Sequence, residues 1–290
     1  MRISLWVHWL PIVYLTIHTV LVLKSEYPFR SLARILAVNG VLAAYFLFSI
    51  LHPDFFFDGL FPGSKILFLW SPVIFFWWAY MWSGHMLRAF HSPTFTYDPQ
   101  IIAFEEKWFG QPSLWWARKG APWVTELMQF FYFTYFFYTF GLGLYLHYHQ
   151  RIEDFQAMTF ATAFGYLISY TFFAITPAKG PRWALIEAEL LSPSEQRQKG
   201  YAFTKLVEAI MYDDVAHKGG AMPSAHSSTA VVFLFWCWYV WGWEGGIPAL
   251  IIACGMWLGA IYGRYHYALD IIVGASLGVA SLLVAGYIIQ

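Results

Sequence analysis

Charge is what this chain of 290 residues has least of: Asp, Glu, Lys and Arg make up 12% of it, about half the ~25% usual in soluble domains. So few charges cannot clothe a soluble fold. The 59% hydrophobic content equally excludes a disordered chain. Lys+Arg and Asp+Glu, at 17 each, cancel to a net charge of +0, so no basic tail is available for nucleic acid. Two cysteines, Cys237 and Cys254, exclude a disulfide-stapled scaffold and read as small core residues inside apolar stretches. What the chain has in quantity is aromatic surface: 28 Phe, 19 Tyr and 16 Trp, or 22% of all residues. The solvent for most of it must be lipid.

A crossing of ~30 Å of hydrocarbon takes about 20 residues, with a range of ~17–25. Eight stretches answer to that: 5–23, 31–51, 66–84, 124–147, 155–176, 226–243, 247–262 and 269–289. The first is interrupted by His8, Pro11 and His18 and reads as a span or an interfacial helix. With Arg2 alone as a basic region, it makes a poor signal peptide. No hydrophilic stretch is long enough for a separate soluble domain, and no repeat is visible. The expectation is an all-α, polytopic helical membrane protein, with N-terminal spans in 1–63 and a core in 64–290. Within that core, 85–123 mixes apolar, charged and Trp residues as a helix lying along headgroups would. A long loop, 177–225, carries Ser192-Pro193-Ser194-Glu195 as a turn and a short helix near 203–213.

Chain continuity then constrains the polar segments. The span 226–243 crosses, Glu244-Gly245-Gly246 turns, and 247–262 returns, so 223–228 and 264–270 share one membrane face. The loop 177–225 places 179–182 on the same face. All but Arg2, Lys65 and Arg151 of the 17 Lys and Arg residues lie on that side, which the positive-inside rule assigns to the cytoplasm.

Three segments on that face could carry chemistry. In Gly219-Gly220-Ala221-Met222-Pro223-Ser224-Ala225-His226-Ser227-Ser228, Pro223 and Ser224 are helix-start residues. The unpaired N–H groups of a first turn bind anions, and His226 adds a proton donor. An ordinary cap among headgroups would have the same sequence. In Arg264-Tyr265-His266-Tyr267-Ala268-Leu269-Asp270, His266 and Asp270 stand at i and i+4, one above the other on a helix face. A carboxylate entering hydrocarbon costs about 2.5–3.5 kcal/mol without a partner. His266 can donate one ring N–H to it and keep the other nitrogen as base or nucleophile, although a purely structural pair would look alike. Pro177-Ala178-Lys179-Gly180-Pro181-Arg182 adds two cations in a stiff loop. Together these groups make a phosphate site with acid, nucleophile and orienting carboxylate. His85, Arg88, His91 and His147-Tyr148-His149 lack acidic or Cys partners and read as interfacial. Glu187, Glu189, Asp213 and Asp214 read as solvated loop residues, with contact to a headgroup as the alternative.

Lys179…Arg182, Pro223-Ser224-Ala225-His226 and Arg264…His266…Asp270 resemble the three motifs of the type 2 phosphatidic acid phosphatase superfamily. The resemblance runs from 66 to 289 and implies a six-helix core preceded by two extra spans. It implies that His266 attacks phosphorus, Asp270 orients it and His226 protonates the leaving alcohol. Lys179, Arg182, Ser224, the Ala225 amide and Arg264 would hold the phosphoryl oxygens, with no metal and no cofactor. Two departures stand out. The usual first motif spaces Lys and Arg seven apart with Pro after the Arg; here the gap is three and Pro181 precedes it. The usual third motif has an Arg six positions before the His, where this chain has Ala260. These features, with Trp108-Phe109-Gly110-Gln111-Pro112, are similar to the branch containing fungal inositol phosphorylceramide synthase.

Three functions follow as expectations. The simplest is a lipid phosphatase acting through a phosphohistidine. The alternative is a phosphotransferase moving an inositol-phosphate type headgroup to a lipid alcohol such as ceramide or diacylglycerol. A lipid-binding or transport protein is the remote third, though a transporter would place its ionisable groups near the midplane. The partners expected are a membrane lipid and the bilayer, with no nucleic acid; oligomeric state is left open. Family placement implies a periplasmic, lumenal or extracellular site, against the basic-residue count.

Overall fold

The computed structural model describes residues 2–57, 61, 63–92, 94–212 and 218–289. The helices are α1 (Arg2–Leu23), α2 (Phe29–Leu51), α3 (Pro53–Phe57), α4 (Ser64–Ser83), α5 (Asp98–Phe109), α6 (Pro112–Lys119), α7 (Pro122–Tyr148), α8 (Ile152–Ile175), α9 (Pro181–Glu187), α10 (Ala202–Tyr212), α11 (Ala225–Trp241), α12 (Trp243–Tyr262) and α13 (Ala268–Ile289). Among the described residues there is no strand, only an isolated bridge between Ala178 and Gly220. The chain is an all-α, multi-pass membrane protein.

All eight expected spans are helical, and six are long and apolar enough to cross a membrane: Leu5–Leu23, Phe29–Leu51, Ser64–Met86, Ile152–Ile175, Trp243–Tyr262 and Ala268–Ile288. The other two are α7, diluted by Thr, Gln and Tyr, and α11, which has 17 residues. Helix α11 lies in the middle of the bundle, packing on α7, α8, α12 and α13, while α8 also touches α1 and α4. Backbone hydrogen bonds must be closed internally in lipid, which helices do by themselves. Helix contact then rests on packing rather than on hydrophobic transfer.

The interrupted first stretch is a bundle helix rather than an interfacial one. Its buried polar groups point at backbone carbonyls of α4: His8 Nε2 at Phe68 O, 3.0 Å, Tyr14 Oη at Ala79 O, 3.1 Å, and His18 Nε2 at Trp82 O, 3.0 Å. A histidine that donates to a helix carbonyl is satisfied in lipid, which explains why His8 and His18 interrupt an otherwise apolar run.

Two local expectations need correction. The turn between α11 and α12 is at Gly242, which takes a left-handed φ of 60°, and Glu244-Gly245-Gly246 already belong to α12. The segment 85–123 does more than lie along headgroups. Helix α5 exposes Phe104, Trp108 and Phe109 but buries Asp98, Ile101, Ile102 and Glu105 against the loops around the site.

Candidate active site

Backbone bonds draw the three polar segments together. Ala178 N donates to Gly219 O at 3.2 Å and Ala221 N to Ala178 O at 3.0 Å, joining the first segment to the second. Arg182 N donates to Arg264 O at 2.9 Å, joining the first to the third, and Ser224 N donates to Asp270 O at 3.1 Å, joining the second to the third. Gly180 makes part of this approach possible. Its φ is +85°, and a Cβ there would stand 2.9 Å from Tyr265 O, a position only glycine takes without strain.

Ser224 caps α11, its Oγ accepting from Ser227 N at 3.2 Å. The start of α11 lies tight against α13, where a Cβ on Gly274 would overlap Ser224 O and one on Gly278 would crowd Ser228 O. This small-residue pair, four apart, lets the two backbones touch. It brings His226, in the first turn of α11, beside His266, whose Nε2 is 3.1 Å from His226 Nδ1.

His266 and Asp270 do meet, but not on one helix face. Helix α13 begins at Ala268, and His266 sits in the preceding turn, after Arg264 at φ 61°. Asp270 reaches back to the loop, accepting from Tyr267 N at 3.0 Å, as an acidic residue in a helix's first turn does. His266 Nδ1 is 3.4 Å from Asp270 Oδ2 and 3.0 Å from Ala221 O. Nδ1 therefore carries the proton, and the lone pair of Nε2 faces His226. By the same network His226 donates from Nδ1 and accepts at Nε2 from the Tyr132 hydroxyl, 3.3 Å away. His266 is 4% exposed and Asp270 is fully buried.

The cations are placed unequally. The Arg182 guanidinium lies 4.5 Å over the ring of Tyr265, which stacks on Tyr132 at 4.2 Å. Arg182 thus ends a stack that leads through Tyr132 to His226. Lys179 Nζ pairs with Glu187, 2.6 Å, at the rim, so Glu187 is not simply a solvated loop residue. Arg264 is turned to carbonyls, with Nε donating to Ser113 O at 3.2 Å and Nη1 to Glu195 O at 2.6 Å. These bonds fasten α6 and the 193–195 turn to the third segment and turn part of the guanidinium toward backbone carbonyls. Ala225 begins α11 directly after its cap. Asp213 and Asp214 lie outside the described residues. Among the described residues, no group of three or more His, Cys, Asp or Glu could hold a metal ion.

Sequence reasoning missed several partners. The Ala221 carbonyl has no side-chain signature. Tyr132 and Tyr265 were lost among the many aromatics. Asp98 and Glu105 left a signal: they are acids on the apolar stripe of α5, with Ile101 and Ile102. Asp98 accepts from Lys179 N, Gly180 N and Tyr267 Oη at 2.8–3.0 Å, and Glu105 accepts from Leu269 N at 2.9 Å.

On the other side of His226 lies a cavity of about 240 Å³. It is walled by Trp77, Tyr80, Tyr135, Phe136, Tyr166 and Tyr170. Among the described residues that line it, side-chain polarity besides His226 comes from tyrosine hydroxyls and one indole N–H, and Tyr135 and Tyr166 bond to each other at 2.9 Å.

Such a site sets a basic ring nitrogen against a proton donor, with an apolar chamber alongside. Comparison with known proteins agrees. Over 276 residues the chain is 24% identical to a protein named phosphoinositol dihydroceramide synthase, from Bacteroides thetaiotaomicron, covering 87% of this chain and 86% of that one. No solved structure matches it. The model of the PAP2 superfamily matches residues 99–284, well over half of the chain and all three polar segments. The chain belongs to the PAP2 superfamily.

Proposed function

We propose that this enzyme is a phosphotransferase that moves a phosphorylated headgroup of the phosphoinositol kind from one lipid to the hydroxyl of another. The observation that carries the proposal is the facing pair His226 and His266, 3.1 Å apart, with the aromatic cavity directly behind His226. His266 Nε2 attacks phosphorus, the bond to the donor lipid's oxygen breaks, and His226, parted from His266 by the bound phosphate and protonated on both ring nitrogens, gives that oxygen one proton and returns to the neutral imidazole. The phosphorylated headgroup remains bonded through phosphorus to Nε2, a substituted phosphohistidine, with Asp270 and Ala221 O holding the Nδ1 proton. The acceptor hydroxyl then attacks phosphorus, His226 takes its proton back, and the P–N bond breaks. A general acid of this kind contributes roughly 10²–10⁴ in rate. Lys179, Arg182, Ser224 and the Ala225 amide hold the phosphoryl oxygens in this scheme, and Arg264 holds the loops.

Transfer is favoured over hydrolysis by the cavity. An apolar chamber beside the proton-carrying histidine suits a lipid alcohol better than water, and the name of the Bacteroides relative points the same way. The test is purified protein offered labelled phosphatidylinositol, with and without ceramide or diacylglycerol. Labelled product is expected only with an acceptor. Headgroup phosphate released equally without one would return the reading to a phosphatase. His266→Ala should abolish either activity; if headgroup release survived it, the phosphohistidine scheme would fall.

We also propose that the site faces away from the cytoplasm, as the family placement implies, because Lys179 and Arg182 add to the basic count on that side for the sake of the headgroup. A cysteine placed at exposed Tyr201 should be labelled by an impermeant reagent on intact cells. Labelling only after permeabilisation would reverse the orientation.

A further inference from the structure

The carboxylate of Asp98 is 3% exposed and gathers three donors from two distant parts of the chain. Oδ2 accepts from Lys179 N at 2.8 Å; Oδ1 accepts from Gly180 N at 3.0 Å and from Tyr267 Oη at 2.9 Å. The first two donors belong to the loop that carries Lys179 and Arg182. The third is the residue next to His266. Seven positions on, Glu105 accepts from Leu269 N at 2.9 Å, close to Asp270. Tyr97 N also donates to Pro177 O at 2.9 Å. One short helix thus grips the cation loop with its first turn and, two turns on, the start of α13.

Burying a carboxylate is costly unless both oxygens are hydrogen-bonded. Here both are, by groups that adjoin the phosphate-binding and nucleophilic residues. Asp is also the side chain this arrangement requires. Asn has a single carbonyl oxygen, and its NH₂ would confront the Lys179 or Gly180 N–H as a second donor.

We propose that Asp98 is a positioning residue of the transfer reaction, the clasp that holds the Lys179–Arg182 loop at the correct distance from His266. The inference rests on the phosphohistidine reading above. Asp98 touches no reacting atom; it acts through the loop that binds the phosphoryl oxygens and the turn that aims His266 Nε2. A displacement of about 1 Å at such a site costs on the order of 10² in rate, and support of this kind belongs on a rigid element.

The test uses the full-length protein reconstituted in lipid, with transfer kinetics normalised to folded protein by its melting curve. Asp98→Asn should lower kcat about 10²-fold, with a smaller change in KM and the melting transition still cooperative. Tyr267→Phe removes one of the three donors and leaves the backbone pair, so a loss of several-fold in kcat is expected. If Asp98→Asn turned over at the wild-type rate per folded molecule, the clasp would be refuted. If Asp98→Asn failed to fold, Tyr267→Phe would decide alone, and a wild-type kcat there would refute it as well. His266→Ala separates the two readings: retained transfer in that variant overturns the phosphohistidine scheme, while the Asp98 and Tyr267 variants report on the clasp.

Discussion

At the scale of single residues, two carboxylates outside the spans show how environment sets behaviour. Glu195 is half-buried at the surface, and its carboxyl is held down to about 2, first by the hydrogen bond from Arg118 and then by those from Ser192. A depressed folded pKa contributes stability above the unfolded value of about 4.3, and that contribution disappears as pH falls through the folded value near 2. Arg118→Ala should move the Glu195 titration back toward the ordinary carboxylate range, read by carbon-13 shifts of labelled glutamate. Glu105 is the opposite case. Burial, with Asp270 as a negative neighbour, pushes its carboxyl up despite the bonds from Leu269 and Ala268, and Oε2 has no partner. Its folded form holds the proton longer than the unfolded chain does, so stability falls as pH rises through that interval. Glu105→Gln keeps an acceptor for Leu269 N and removes the charge. The melting temperature of the variant relative to wild type should therefore rise between pH 4 and pH 8; a constant difference would contradict this.

At the scale of elements, the contact of α11 with α13 decides whether His226 reaches His266. Gly274→Ala puts a methyl into Ser224 O, and overpacking of this kind costs about 1–3 kcal/mol. Activity should fall with stability, because the same contact sets the distance between the histidines. An alanine variant with normal melting and normal turnover would show that the helices have room. The elements themselves were legible. Each of the eight expected spans is a helix, because an apolar run in lipid has few other ways to satisfy its backbone. The misplacements were of a local kind. The turn fell on Gly242 rather than on Glu244-Gly245-Gly246, since a single left-handed glycine suffices to reverse the chain. His266 was expected on a helix and sits before it, because Asp270 reaches back to Tyr267 N and starts α13 there.

At the scale of the whole molecule, the two N-terminal helices are joined to the core by a polar cluster. Asn39 Nδ2 donates to His18 Nδ1 at 3.0 Å and to Thr19 Oγ1 at 2.8 Å, and Trp82 Nε1 donates to Asn39 Oδ1 at 2.9 Å. Interhelical bonds in lipid average about 0.6 kcal/mol and reach about 1.7, so Asn39→Ala should cost roughly 1–2 kcal/mol in a detergent unfolding titration. Turnover per folded molecule should not change, because the bonds of the cluster reach neither His226 nor His266. The sequence alone determined the solvent, the helices and the three polar segments on one face. Scarcity of charge and the lengths of apolar runs are local properties, and chain continuity does the rest. Only the tertiary structure decided what surrounds the histidines. The Ala221 carbonyl, the Tyr132 hydroxyl, the turning of Arg264 to backbone carbonyls and the grip of Asp98 are contacts across as many as 169 positions. They depend on which backbone groups remain unpaired where helices meet; the chain marks Asp98 as an acid on an apolar stripe but does not encode the partners it meets.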